Sequence, residues 1–153
     1  MTSHAALPRL LFATMLSLAA GCGGDDTIET ARPGQESALA VVREVFAGVL
    51  DEASMSPVAL SIQWSGHVCP YPAADGLLKT AVIDPRGTCY AGLAHGCDLQ
   101  VAWRGSFAQS AFAHELMHCY MSQLDLTDPS HDRHPEMWRA VSDANRALRE
   151  AGL

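Results

Sequence analysis

The segment 106–124 limits the possible fold most, because it is a long stretch with neither proline nor glycine. Apolar side chains such as Phe112 recur along it at helical spacing, which predicts a mostly buried helix. His114 and His118 lie four residues apart in this segment, and Glu115 directly follows the first histidine. Residues four apart lie on one face of a helix, so both imidazoles are expected to point in the same direction.

Two imidazoles on one helical face can bind a single metal ion. A zinc ion would acidify a water molecule there, and the neighbouring carboxylate of Glu115 could accept its proton. Ordinary structural histidines are the alternative. Buried imidazoles without a partner are costly, however, and the helix is apolar around His114 and His118. The pattern therefore favours a metal site.

A catalytic zinc ion usually has three protein ligands and one open position. The third ligand must come from outside the helix, and His131 and His134 are both candidates in the following segment. Only one of them is needed, so the other is expected to be structural. The sequence leaves both assignments open.

The rest of the chain predicts an α+β fold, in which a short three-stranded sheet packs on helices. Apolar residues at helical spacing predict helices at both ends of the domain, and alternating segments predict strands between them. Residues 85–97 are rich in glycine and are expected to be irregular. The predicted helices are 36–52, 106–124 and 134–148, and the predicted strands are 58–64, 80–83 and 98–103.

The N-terminal residues 1–21 have the composition of a secretory signal, with one arginine before a short apolar run. The run ends in Leu-Ala-Ala-Gly-Cys, which resembles a bacterial lipobox, and that resemblance implies a lipid on Cys22. A plain secretory signal is the alternative. Residues 22–35 have the composition of a flexible tether, and residues 36–153 are expected to form the folded domain. We therefore expect an exported protein held at a bacterial inner or outer membrane.

Four cysteines remain in the predicted domain, and an even number in an oxidising compartment suggests two disulfides. Three pairings are possible. Cys89 and Cys97 are close in sequence and could form one bridge, which would leave Cys69 to pair with Cys119. A zinc site made of four thiolates is less favoured, because the sequence has no C-x-x-C pair.

The formal net charge is −7, and lysine occurs once. Basic residues form no cluster, so a nucleic-acid partner is not expected.

The His114-Glu115-x-x-His118 pattern resembles that of the zincin metallopeptidases. The spacing of His134 and Trp138 is similar to that in SprT-type zincins, and His131 looks like the third ligand of exported bacterial relatives. The resemblance covers residues 98–148. It implies that the strand 98–103 lies beside the substrate and pairs with its backbone.

These features predict a zinc-dependent peptidase in which Glu115 is the general base and a protein or peptide is the substrate. The rival interpretation is a non-catalytic lipoprotein whose zinc stabilises the fold or a binding surface. A transient metal-carrying site is a further alternative.

Overall fold

The computed structural model describes residues 31–57, 59–70, 75–77 and 79–153. Helix α1 leads into a strand-rich middle section, and helices α2 and α3 complete the chain. The helices are α1 (Gln35–Phe46), α2 (Phe112–Gln123) and α3 (Pro135–Glu150), and the strands are β1 (Ser61–Ser65), β2 (Val82–Ile83), β3 (Cys89–Tyr90), β4 (Gly92–His95) and β5 (Asp98–Ala102). The predicted α+β class with three helices is confirmed.

Strand β5 lies in the centre of a three-stranded sheet with the order β1-β5-β4. It pairs parallel with β1 and antiparallel with β4. Because both edges of β5 are occupied, the prediction that this strand pairs with a substrate backbone is wrong. Strand β4 lies at one edge of the sheet and pairs only with β5 among the described strands.

Strands β3 and β4 lie in the segment that was expected to be irregular. Glycine disfavours strands, but here the pairing of β4 with β5 outweighs that propensity. Gly96, at φ 60°, makes the tight turn between the two strands possible. The predicted strand 80–83 does not join the main sheet, because β2 pairs with β3 in a separate two-stranded ladder.

Two helices are shorter than predicted. Helix α1 ends at Phe46, and the chain continues in turns with i→i+3 bonds such as Gly48 N–H to the Val45 carbonyl. Glycine weakens helices, which accounts for this early end. Helix α2 begins only at Phe112, because the hydroxyl of Ser110 donates to the Ser106 carbonyl in a preceding turn.

The core lies between the sheet and the helices. Helix α2 packs on β4 and β5, and α1 packs along α3. Trp64 on β1 is fully buried and contacts the rings of Trp103, Phe107 and Phe112. Its indole N–H donates to the side chain of Gln35 at 2.8 Å, which joins the sheet to the start of α1. These contacts give α2 a fixed position relative to the edge strand β4.

Two disulfides are present, as the cysteine count predicted. They join Cys69 to Cys89 and Cys97 to Cys119, so the pairing considered above, Cys89 with Cys97, is not the one observed. The second bridge connects the β4–β5 turn to α2 one residue after His118. Disulfides of this kind indicate an oxidising compartment.

The predicted signal peptide, the lipobox-like cysteine Cys22 and most of the predicted tether lie outside the described residues. Within the described part, none of the helices has the length and apolar character needed to cross a membrane.

Candidate metal centre

Three imidazoles converge on one side of helix α2. His114 and His118 lie one turn apart on α2, and His131 reaches them from the loop before α3. The Nε2 atoms of His114 and His118 are 3.2 Å apart, and those of His118 and His131 are 3.3 Å apart. Nitrogen atoms from all three rings lie within 4.8 Å of one another. The helical pair predicted from sequence therefore acquires a third nitrogen donor.

These short nitrogen contacts are not well explained by hydrogen bonds alone. A neutral imidazole nitrogen carries either one hydrogen or one lone pair. The Nε2 atom of His118 therefore cannot make a good hydrogen bond with both of its neighbours at once. A cation that accepts a lone pair from each ring would satisfy all three, so the donor set fits a metal ion.

The surroundings keep the two helical imidazoles neutral. Burial, reinforced by the neighbouring His118 and His131, lowers the pKa of His114 to about 4. Burial and His131 also lower the pKa of His118, with Asp128 acting in the opposite direction. A metal ligand must present a lone pair, so neutral rings are the form that binds a metal.

Asp128 organises the loop that carries His131. Its side chain is only 2% exposed. One carboxylate oxygen accepts the backbone N–H of Asp132, and the other accepts those of Arg133 and His134 together with the indole N–H of Trp138. Burial would raise the pKa of Asp128, but these hydrogen bonds, led by that of Trp138, lower it to about 2.

The backbone of His131 needs this support. Its φ of 62° lies in the left-handed region, which a residue with a side chain adopts at some cost. Its N–H donates to the Asp128 carbonyl at 3.2 Å. The bonds of the Asp128 carboxylate to the residues that follow hold the chain beyond it. The aspartate therefore fixes the direction in which His131 points.

Trp138 on α3 forms a wall against the three histidines. Its ring centroid lies 5.1, 5.0 and 4.2 Å from those of His114, His118 and His131. The sequence analysis noted this tryptophan only for its spacing from His134 and did not identify Asp128. The signal available was an aspartate at the start of the turn that carries a candidate ligand.

His134 does not reach the other histidines. It lies at the N-terminal cap of α3, where its Nδ1 is 3.7 Å from a carboxylate oxygen of Glu136. Of the two candidates for the third ligand, the structure therefore brings His131 to the pair and leaves His134 in a structural position.

Glu115 is 5% exposed and lies beside His114 at the floor of a cleft of about 720 Å³. Burial raises the pKa of its carboxyl group to about 7. The cleft contains all three histidines and is bounded on the opposite side by β4. A carboxylate next to the donor set is suited to general acid–base chemistry.

Gly92 provides the space that Glu115 occupies. A Cβ atom at this position of β4 would lie 2.6 Å from Cγ and 2.7 Å from Oε1 of Glu115. Real Cβ contacts do not come this close, so any larger residue would displace the glutamate. Sequence reasoning did not identify Gly92, because its role depends on how β4 packs against α2.

The chain matches no protein-family model, no curated protein and no solved structure. The functional assignment therefore rests on the residues of the site.

Proposed function

We propose that residues 36–153 form a zinc-dependent peptidase domain of the zincin type. The observation that carries the proposal is the convergence of three imidazole nitrogens beside the buried carboxylate of Glu115, in a cleft next to an edge strand. A purely structural metal site has no need of an adjacent carboxylate outside the donor set.

Zinc is the metal that suits these donors best. Nitrogens bound at about 2.0–2.1 Å to a tetrahedral ion lie roughly 3.3–3.4 Å apart. The observed Nε2 separations of 3.2 and 3.3 Å are close to that spacing. Three histidines leave a fourth position open, which is typical of catalytic rather than structural zinc sites.

When bound, zinc supplies the Lewis acidity that acidifies water and polarises a carbonyl oxygen. Glu115 takes a proton from the attacking water and passes it to the nitrogen of the leaving amine. His114, His118 and His131 hold the metal, and Asp128 keeps His131 in place through the loop backbone.

The substrate is a peptide in extended conformation that adds to the free edge of β4. Backbone groups in an antiparallel ladder alternate between facing the partner strand and facing outward. The Ala91 carbonyl accepts the N–H of Ala102 on the β5 side, so Gly92 and Ala94 direct their N–H and C=O groups away from β5. These groups lie along the cleft and can bind a peptide backbone.

The domain acts outside the cytoplasm and is anchored through a lipid on Cys22. Two disulfides support an oxidising location, and the lipobox-like segment supports the anchor.

The test compares zinc-loaded wild type with Glu115→Gln on a broad library of fluorogenic peptides. Glu44→Gln, which changes an exposed glutamate on α1, is the matched control. We expect cleavage by wild type and by the control, and a loss of about 10²–10⁴-fold in kcat for Glu115→Gln, which is the usual contribution of a general base. Zinc content, measured by mass spectrometry, should be equal in all three proteins.

Equal zinc content without cleavage of any peptide by the wild type would refute the peptidase. The same result would support the rival function, a non-catalytic zinc-binding lipoprotein in the cell envelope.

A further inference from the structure

A second cavity, of about 530 Å³, adjoins the candidate cleft at Tyr90, which lines both. The disulfide between Cys69 and Cys89 contributes to its wall, and both cysteines are partly exposed. We call this bridge the cavity disulfide. Cavities of several hundred Å³ have the usual size of small-molecule sites. A small molecule that enters this cavity would therefore lie against the disulfide.

The other bridge, between Cys97 and Cys119, is the core disulfide, and it is covered. Cys119 on α2 is fully buried, and Cys97 packs against the hydrophobic core. The side-chain amide of Gln123 also contacts the Cys97 sulfur at 3.5 Å. A thiolate breaks a disulfide by attacking one of its sulfur atoms directly, so the rate depends on access to that sulfur. The two bridges of this domain therefore differ in how easily a thiol can reach them.

The cavity wall is positively charged. Lys79 and Arg104 line it, and none of the described residues on this wall is acidic. Lys79 also pairs with Asp75 at 2.6 Å, whereas Arg104 forms no ion pair with a carboxylate of the described residues. The formal net charge of the whole chain is −7, so the wall is a locally positive region on a negative protein. Such a region raises the local concentration of anions.

We propose that the cavity disulfide is a site of thiol–disulfide exchange with small anionic thiols, which Arg104 and Lys79 attract into the cavity. The incoming thiolate forms a new S–S bond with one cysteine as the Cys69–Cys89 bond breaks. The electron pair of the broken bond leaves on the other cysteine as a thiolate. A second thiolate attacks the mixed disulfide, so that two small thiols are oxidised to one disulfide and both cysteines are reduced. The exchange needs neither zinc nor peptidase activity.

The test measures the opening rate of each disulfide in zinc-free protein, so that no thiol can bind a metal at the histidines. Zinc is removed with EDTA, and the chelator is then exchanged away. The probes are 2-mercaptoethanesulfonate, 2-mercaptoethanol and 2-aminoethanethiol, which are anionic, neutral and cationic. Samples are quenched with acid and alkylated, and mass spectrometry of the peptides counts the free cysteines of each bridge. Rates are expressed per thiolate and divided by the rate of the same thiol with 2-hydroxyethyl disulfide.

We expect the cavity disulfide to open about ten-fold or more faster than the core disulfide. It should favour the anionic over the neutral thiol about five-fold, the factor for unit charges about 4 Å apart in water. Arg104→Ala should remove most of this preference, and Lys79→Ala less of it, because Asp75 already pairs with Lys79. Arg146→Ala is the matched control, since Arg146 is exposed and pairs with Asp143. About 0.5 M NaCl should remove the preference in the wild type, a test that needs no variant to fold.

Equal opening rates of the two disulfides in the wild type would overturn the exchange site, as would faster opening of the core disulfide. Equal rates with the anionic and neutral thiols at the cavity disulfide would also overturn it. The same holds for a preference that high salt leaves unchanged, or that Arg146→Ala removes as fully as Arg104→Ala. In each variant the core disulfide reports loss of structure, because unfolding would expose it to all three thiols.

Discussion

Replacing Glu115 with glutamine should stabilise the metal-free protein at alkaline pH. Burial raises the pKa of this carboxyl from 4.5 to about 7, so the folded state keeps a proton that the unfolded state has lost between these values. The free energy of unfolding must therefore decrease as pH rises through this range, and the contribution from this proton is fully lost above pH 7. At about 1.4 kcal/mol per pH unit, the loss is about 3 kcal/mol. Glutamine has no charge to bury and removes this pH dependence.

The assay is urea unfolding in EDTA with intact disulfides, followed by tryptophan fluorescence at pH 4.5 and at pH 8.5. The unfolding free energy of Glu115→Gln minus that of wild type should be about 3 kcal/mol larger at pH 8.5 than at pH 4.5. Glu44→Gln, at an exposed position, should show no such change. In saturating zinc the advantage should disappear, because a divalent cation beside the carboxylate stabilises its charged form.

The same difference in unfolding free energy at both pH values would refute the argument. It would mean that the carboxyl of Glu115 is solvated in the folded protein. The prediction is independent of catalysis, since it needs only the burial of Glu115 in the cleft.

Three further predictions concern the parts of the site. Gly92→Ala should displace the Glu115 side chain and reduce kcat by 10-fold or more, with zinc content unchanged in metal analysis; unchanged kcat would mean that the glutamate is not held there. Asp128→Asn should lower zinc affinity by about 10–100-fold in chelator competition, as loss of support behind a ligand does, and wild-type affinity would contradict this role. His131→Ala should lose zinc in the same competition while His134→Ala retains it, and the reverse result would exchange the two assignments.

Much of the fold could be predicted because its signals are local. Helices α1, α2 and α3 follow from apolar spacing, and β5 follows from alternation. Strand β4 could not be predicted from propensity, since glycine and alanine make up half of it. It exists because β5 supplies its hydrogen bonds across the turn at Gly96. Pairing of this kind is a property of the assembled sheet and leaves little trace in a short segment.

The candidate site also has one part that the sequence predicts and another part that depends on the folded structure. The pair His114 and His118 with Glu115 follows from helical geometry alone, so the sequence was sufficient to predict it. The choice of His131 over His134 depends on a left-handed backbone and on the carboxylate of Asp128, which receives bonds from residues up to ten positions away. No periodicity encodes such a loop, and both histidines were therefore reasonable candidates.

The residues around the metal centre are better explained by function than by stability. A buried carboxyl that makes folding less favourable as pH rises is a cost that an apolar side chain would avoid. The same carboxyl group lies beside the three imidazoles, where the proposed reaction needs a proton acceptor. The left-handed backbone of His131 is a further cost along the same cleft. Unfavourable features gathered along one cleft, in a domain whose core is otherwise well packed, support the proposal that this cleft is a functional site.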